Sequence, residues 1–147
     1  MICRMFLIVS TLGAFTPNTP ETTIAKVGKA GLEQDVPDIS GYYTCRGLET
    51  GGKTYGGVAV ITKKNDVYLV QWMIGSGSTF TGIGIRQGNT LSASWAIPGE
   101  RGLVRGVNTY RIEPGPRLIG RWATLPGAGN LQNETLTFLK NIEEEDD

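Results

Sequence analysis

The residues able to perform acid–base, nucleophilic or metal chemistry are few and scattered along this chain. Histidine is absent from all 147 residues, which excludes Ser-His-Asp and Cys-His sites and zinc or haem sites ligated by histidine. Between Ser40 and Leu139, only Glu134 among the acids lies inside a predicted strand; the others fall at predicted turns, Asp66 where the turn meets the next strand. A glycosidase needs two acids facing each other across a cleft, and no such pair is predicted. We therefore expect no enzymatic activity, no metal site and no cofactor.

Two glycine patterns resemble nucleotide-binding motifs. The segment Gly47–Thr54 matches G-x-x-x-x-G-K-[ST], a loop that cradles phosphates only when a strand precedes it and a helix follows. Tyr55 is instead followed by two glycines and then by mostly β-branched residues up to Ile61, which predicts a hairpin turn. The glycines at 82, 84 and 88 depart from the dinucleotide fingerprint and lie in predicted strands. Neither pattern predicts nucleotide binding.

Cys45 would be the only cysteine left if the N-terminal segment holding Cys3 were removed, and an intramolecular disulfide would then be impossible. A lone cysteine in an exported protein is usually a small buried apolar side chain. A reactive thiol is the other interpretation, and it requires a neighbouring base or a lowered pKa. The adjacent Arg46 gives that second interpretation little support.

Five aromatic residues lie on one parity of successive predicted strands and would point into a closed sheet. They are the candidate ligand-binding residues Tyr68, Trp72, Trp95, Tyr110 and Trp122. Such rings can line a cavity for a small apolar or amphipathic ligand. They can equally fill the interior of a small barrel completely, and the sequence leaves both possibilities open.

Four arginines share the opposite, outward parity of two neighbouring predicted strands, and we treat them as candidate partner-binding residues. They are Arg105, Arg111, Arg117 and Arg121. Between Ser40 and Leu139 ten basic residues face five acidic ones, whereas the last eight residues hold five acids and one lysine. A basic surface attracts anionic partners such as an envelope component. Nucleic acid is not expected, because the arginines and the aromatic residues alternate onto opposite faces.

The elements that position these residues are predicted from period-2 alternation and turn signals spaced 10–12 residues apart. Strands are predicted at 42–48, 54–63, 66–75, 79–86, 89–97, 103–112, 117–124 and 132–139. Asn, Asp, Gly and Pro occupy the breaks between them, as tight turns require. Sequential strands with short connections favour antiparallel neighbours. The predicted fold is all-β: an eight-stranded antiparallel up-and-down meander closing into a small barrel, with almost no helix.

The N-terminal segment has the features of an export signal. Arg4 provides a positive start, and an apolar run from Met5 to Phe15 follows, which is the signal-peptide pattern. The run is too short to span a bilayer, so no transmembrane span is expected. Cleavage could follow Ala25 or Ala14. The predicted organisation is a signal peptide at 1–25, a linker at 26–39, a barrel at 40–139 and an acidic tail at 140–147, in a secreted or periplasmic protein.

A succession of short motifs carries a family resemblance over residues 40–139. These motifs are Gly41-Tyr-Tyr-Thr-Cys45, Tyr68-x-x-x-Trp72, Gly82-Ile-Gly-Ile-Arg86, Leu91-x-x-x-Trp95, Tyr110-x-Ile112 and Leu118-x-Gly-x-Trp122. The chain resembles a group of small exported bacterial proteins, some of them loosely labelled fibronectin-binding. The Gly120-Arg-Trp122 segment is also similar to the Gly-x-Trp strands of lipocalins and avidins, although in lipocalins that motif opens the barrel. The resemblance implies a barrel and carries over no ligand.

Two functions remain open from the sequence. The first is an exported, non-catalytic binding protein whose barrel holds a small apolar or amphipathic ligand. The alternative is an envelope or extracellular interaction module that contacts an anionic partner through its outer arginines. A cavity bordered by aromatic rings favours the first function, and a filled interior favours the second.

Overall fold

The computed structural model describes residues 37–75 and 77–143, and these form one closed antiparallel barrel. The strands are β1 (Gly41–Leu48), β2 (Thr54–Lys64), β3 (Val67–Ile74), β4 (Ser78–Gln87), β5 (Thr90–Gly99), β6 (Gly102–Glu113), β7 (Arg117–Leu125) and β8 (Gln132–Lys140). Each strand pairs with its neighbours in sequence, and β1 pairs with β8 to close the barrel. The predicted up-and-down barrel is confirmed, with strand ends within about two residues of their predicted positions.

Alternation along the strands sorts the side chains between the interior and the solvent. Along β3, for example, Tyr68, Val70 and Trp72 are buried, whereas Leu69 and Met73 are exposed. The same period-2 burial recurs in β1, β5 and β6, as expected for strands with one face on a core. The sheet thereby places two polar side chains, Asn108 of β6 and Glu134 of β8, among the buried inward-facing residues.

The segment 37–40 lies against the barrel at the end where β1, β3 and β5 begin. Ile39 is only 1% exposed and belongs to the core, and the Tyr43 hydroxyl donates a hydrogen bond to its carbonyl at 2.7 Å. Arg86 Nη1 donates to the Pro37 carbonyl at 2.7 Å, and the Lys63 amide donates to Ser40 Oγ at 3.0 Å. Ile39, which the sequence analysis assigned to a linker, is therefore part of the barrel core.

Several predicted segments fall outside the described residues. These are the signal peptide at 1–25, the linker at 26–36 and the last four residues of the acidic tail. Within residues 37–75 and 77–143, no helix is long and apolar enough to cross a membrane.

Candidate ligand cavity

Burial along the inward faces changes from one end of the barrel to the other. On β5, Leu91 and Ala93 are buried, but Trp95 and Ile97 further along the same face are only partly buried. On β7, Leu118 is buried and Trp122 is partly buried. The interior is thus filled at the end near segment 37–40 and accessible at the opposite end, which we call the open end.

A cavity of about 360 Å³ occupies the open end. It is lined by Glu49, Tyr55, Trp72, Ile74, Gly75, Ser78, Phe80, Trp95, Ile97, Val104, Asn108, Trp122, Thr124 and Glu134. Five of these residues are aromatic, two are acidic and none is basic. The volume is at the small end of the range for ligand pockets, which runs from about 300 to about 1,000 Å³.

The floor of the cavity is built around the Glu134 carboxyl group, whose residue is 2% exposed. Tyr55 donates its hydroxyl proton to Oε2 at 2.5 Å, and the Cys45 thiol donates to the same oxygen at 3.2 Å. Asn108 Nδ2 donates to Oε1 at 3.2 Å, and the Tyr110 hydroxyl donates to Oε1 as well. Each carboxyl oxygen therefore accepts two hydrogen bonds, which fills the acceptor positions of a carboxylate.

A second layer of hydrogen bonds fixes two of the three indoles against this floor. Trp72 Nε1 donates to the Tyr110 hydroxyl oxygen at 3.1 Å, and Trp95 Nε1 donates to Asn108 Oδ1 at 2.9 Å. Asn108 Nδ2 also donates to the Tyr110 oxygen at 2.8 Å. Trp122 differs: its Nε1 is buried and makes no hydrogen bond that satisfies distance and angle with any described residue. Its ring lies edge-on to Tyr55, with the ring centroids 6.3 Å apart.

The protonation of the groups around Glu134 follows from their surroundings. Burial raises the pKa of the Cys45 thiol well above its ordinary range, and the charge of Glu134 raises it further. The pKa values of Tyr55 and Tyr110 are raised by the same two causes, with burial the larger, while the nearby Trp122 indole opposes the shift at Tyr55. All three groups consequently remain protonated donors at neutral pH.

The charge of the Glu134 site is not balanced by a neighbouring cation. Among residues 37–75 and 77–143, no lysine or arginine lies within 4.0 Å of its carboxyl oxygens. Hydrogen-bond donors alone stabilise the carboxylate there. The described residues also contain no group of three or more potential metal-ligating side chains.

The structure separates the five aromatic candidates into three groups. Trp72, Trp95 and Trp122 line the cavity. Tyr110 lies beneath it, within the hydrogen-bond network of Glu134. Tyr68 does not line the cavity, because it lies near the start of β3 at the filled end, where its hydroxyl donates to Asp38 Oδ1 at 3.3 Å.

The sequence candidates did not include the polar residues of the floor, among them Tyr55, Asn108 and Glu134. The sequence did contain a signal for Glu134, because this residue alternates onto the same face of β8 as the apolar Leu136 and Phe138. A carboxyl group on the inward parity of a strand indicates either a charged interior site or a shift in register. The donors that stabilise it come from β1, β2 and β6, and sequence spacing alone does not bring these together.

The four arginine candidates all lie on the outer surface of β6 and β7 and are exposed. Arg111 Nη2 forms a salt bridge with Glu113 Oε1 at 2.8 Å. Arg105 lies opposite Leu125 at the open end, and Arg117 lies opposite Glu113 at the other end. From Arg105 to Arg111 alone the strand rises about 20 Å, so the arginines extend along the whole hairpin rather than forming a compact patch.

Comparison with known proteins adds little to what the structure shows about the fold. No protein-family model matches this chain, and no curated protein matches it, so the resemblance to small exported bacterial proteins remains a prediction. Among solved structures, the chain is similar to a redesigned β-barrel, mFAP1, whose structure was determined bound to DFHBI. The two share 17% identity over 69% of this chain and 94% of the other, with a TM-score of 0.48.

Proposed function

We propose that this protein is a non-catalytic binding protein that holds a small apolar or amphipathic ligand in the cavity at its open end. The observation that carries the proposal is the cavity of about 360 Å³ bordered by the rings of Trp72, Trp95 and Trp122. Aromatic walls provide large apolar contact areas.

The chemistry of the floor supports binding rather than catalysis. A general base needs an open lone pair facing the proton that it removes, and both Glu134 oxygens already accept two hydrogen bonds each. A nucleophilic thiol needs a lowered pKa, whereas the pKa of Cys45 is raised. These groups therefore serve to hold the floor in one arrangement.

The test is a titration with the neutral fluorescent probe N-phenyl-1-naphthylamine, on the wild type and two tryptophan variants. Val104 lines the cavity and Leu103, its neighbour on β6, is exposed on the outer surface. Val104→Trp should fill the cavity and weaken probe binding by about tenfold or more, whereas Leu103→Trp should leave binding unchanged. Absence of binding to the wild type, or equal binding to both variants, would contradict the proposal.

We also propose that residues 1–25 direct export, which makes the barrel a secreted or periplasmic protein. The support is the charged start and apolar run of the sequence. Production of the full chain in a bacterial host should give an exported form whose intact mass lacks the first 25 or the first 14 residues. An exported or cytoplasmic product that retains residues 1–15 would contradict this proposal.

The arginine-face alternative receives less support than the cavity. Arg111 is already paired with Glu113, and the remaining arginines are distributed along the hairpin. Exposed charges of this kind contribute little affinity when they act singly. We therefore place the primary function in the cavity.

A further inference from the structure

We propose that the cavity selects organic cations, and in particular a ligand that carries a quaternary ammonium group. This inference rests on the proposed function and specifies the chemical class of the ligand. It follows from three features of the described residues: the charge of the cavity lining, the occupied acceptor positions of Glu134 and the aromatic walls.

The lining of the cavity is anionic, although the barrel as a whole is basic. Glu134 on the floor and Glu49 among the lining residues are the charged residues of the cavity, whereas residues 40–139 contain ten basic and five acidic side chains. Every group that hydrogen-bonds to Glu134 is able to donate, and an ionised carboxylate accepts only. A buried negative charge without a counter-ion attracts a cation strongly, because the surrounding dielectric constant is low.

The hydrogen bonds at the floor restrict which cation fits. All four acceptor positions of the Glu134 carboxylate are occupied by protein donors. Asn108 Oδ1 accepts from Trp95, and the Tyr110 oxygen accepts from Trp72 and Asn108. A primary ammonium group would bring three N–H donors to a floor with few open acceptors. A quaternary ammonium group has no N–H and therefore needs no hydrogen-bond acceptor. The negative electrostatic potential of the cavity is sufficient to attract it.

The aromatic walls of the cavity also suit a quaternary ammonium ligand. Aromatic faces carry negative electrostatic potential and bind quaternary ammonium groups through cation–π attraction, most strongly when the ring is indole. Five of the lining residues are aromatic and three of them are tryptophans. Two of the indoles are fixed by hydrogen bonds of their N–H groups to the floor, so little side-chain entropy is lost when a ligand binds.

The experiment compares choline with its neutral carbon isostere, 3,3-dimethylbutan-1-ol, by displacement of N-phenyl-1-naphthylamine and by isothermal titration calorimetry. The two ligands have the same shape and hydroxyl group and differ only in the charge of the quaternary centre. We expect the wild type to bind choline at least about tenfold more tightly than the alcohol, as cation–π and Coulomb attraction in a desolvated site require.

Two variants that each lack one carboxylate test whether Glu134 causes the preference for choline over the alcohol. Glu134→Gln should lower the choline-to-alcohol ratio several-fold while the alcohol still binds, and the aromatic rings and Glu49 should retain part of the preference. Glu113→Gln removes an outward-facing carboxylate at the filled end of the barrel, away from the cavity, and it should leave the ratio unchanged. If near-UV circular dichroism shows that Glu134→Gln does not fold, Glu49→Gln replaces it, and it should reduce the ratio by a smaller factor. The wild-type comparison requires no variant and decides the question alone.

The outcomes separate this inference from the proposed function. Binding of N-phenyl-1-naphthylamine together with equal or weaker binding of choline than of the alcohol would overturn the cation proposal and leave the binding function intact. Failure of all three molecules to bind would overturn both. A choline-to-alcohol ratio in Glu134→Gln equal to that of the wild type would overturn the role of the buried carboxylate.

Discussion

At the scale of single residues, hydrogen-bond donors surround the Glu134 carboxylate and stabilise its charge inside the barrel. Isolated burial of a carboxylate costs several kcal/mol or more unless hydrogen bonds replace the lost water. Four donors from three other strands supply those bonds. Losing one donor leaves a buried carboxylate oxygen with one hydrogen bond instead of two, which should reduce stability.

Tyr110→Phe tests this dependence. The substitution removes the donor to Glu134 and the acceptor for Trp72 and Asn108. We expect a loss of about 1–3 kcal/mol in the free energy of unfolding, measured by urea denaturation. Tyr42→Phe is the control, since its ring lies near Lys140 at the surface and should change stability by less than about 0.5 kcal/mol. Equal effects of the two substitutions would contradict the proposed network.

The raised pKa values of Cys45, Tyr55 and Tyr110 predict how stability depends on pH. In the folded state these groups keep protons that the unfolded chain releases above about pH 9 for the thiol and about pH 10 for the phenols. The unfolded state then binds fewer protons, so the free energy of unfolding should fall as pH rises above about 9. Urea denaturation at about pH 8 and about pH 10.5 measures this.

Cys45→Ala provides the matched comparison for the alkaline loss. The variant lacks one of the shifted groups, so its stability should fall less steeply with pH than that of the wild type, whatever its stability at neutral pH. A parallel or steeper decline in Cys45→Ala would show that the thiol is not held protonated by the fold. A wild-type stability that is constant or rises over the same range would contradict the shifts themselves.

At the scale of elements, the strands and their faces were predictable because period-2 alternation and turn residues are local signals. The β2–β3 turn illustrates this: Asn65, with a φ of 55°, stands in a break that the Asn-Asp pair had indicated. Ile39 was missed because a single apolar residue between Asp38 and Ser40 has no period. The Glu134 network was missed because its members lie on β1, β2, β6 and β8 and meet only when the pairing of β8 with β1 closes the barrel.

The strands also place one glycine where a larger residue would disturb the cavity. Gly106 lies opposite Trp95 on β5, and a Cβ atom added there would overlap the indole ring. Gly106→Ala should displace Trp95, weaken its hydrogen bond to Asn108 and lower the affinity for N-phenyl-1-naphthylamine by about tenfold. Gly56→Ala is the control, since its added Cβ would meet only the Cys45 carbonyl oxygen, at 3.8 Å. Unchanged affinity in Gly106→Ala would contradict a fixed Trp95.

At the scale of the whole molecule, the barrel has two ends with different roles. The filled end depends on segment 37–40, and Ile39 is buried within it. The open end contains the cavity. None of residues 37–40 lines the cavity, so stability and ligand affinity should respond separately to changes at each end.

Ile39→Ala tests this separation. Loss of a buried isoleucine should lower the free energy of unfolding by about 2–5 kcal/mol, while affinity for N-phenyl-1-naphthylamine in the folded protein stays within about twofold of wild type. Leu139→Ala, at a position 56% exposed, is the control and should change neither quantity appreciably. A loss of affinity in folded Ile39→Ala would contradict the independence of the two ends.

The outer surface of the barrel offers a second apolar region, which any binding experiment must distinguish from the cavity. Ile83, Ile85 and Val107 are 52%, 66% and 59% exposed, and with Leu131 they border a shallow groove across β4, β5 and β6. A hydrophobic probe can adhere to such a patch without entering the barrel. A solution affinity alone therefore does not locate the binding site.

A crystal structure of the protein with N-phenyl-1-naphthylamine tests the central claim most directly. The account predicts electron density for the probe inside the barrel, in contact with Trp72, Trp95 and Trp122, and no ordered probe in crystals of Val104→Trp. Density confined to the outer groove beside Ile83 and Val107, with the cavity holding only solvent, would contradict it.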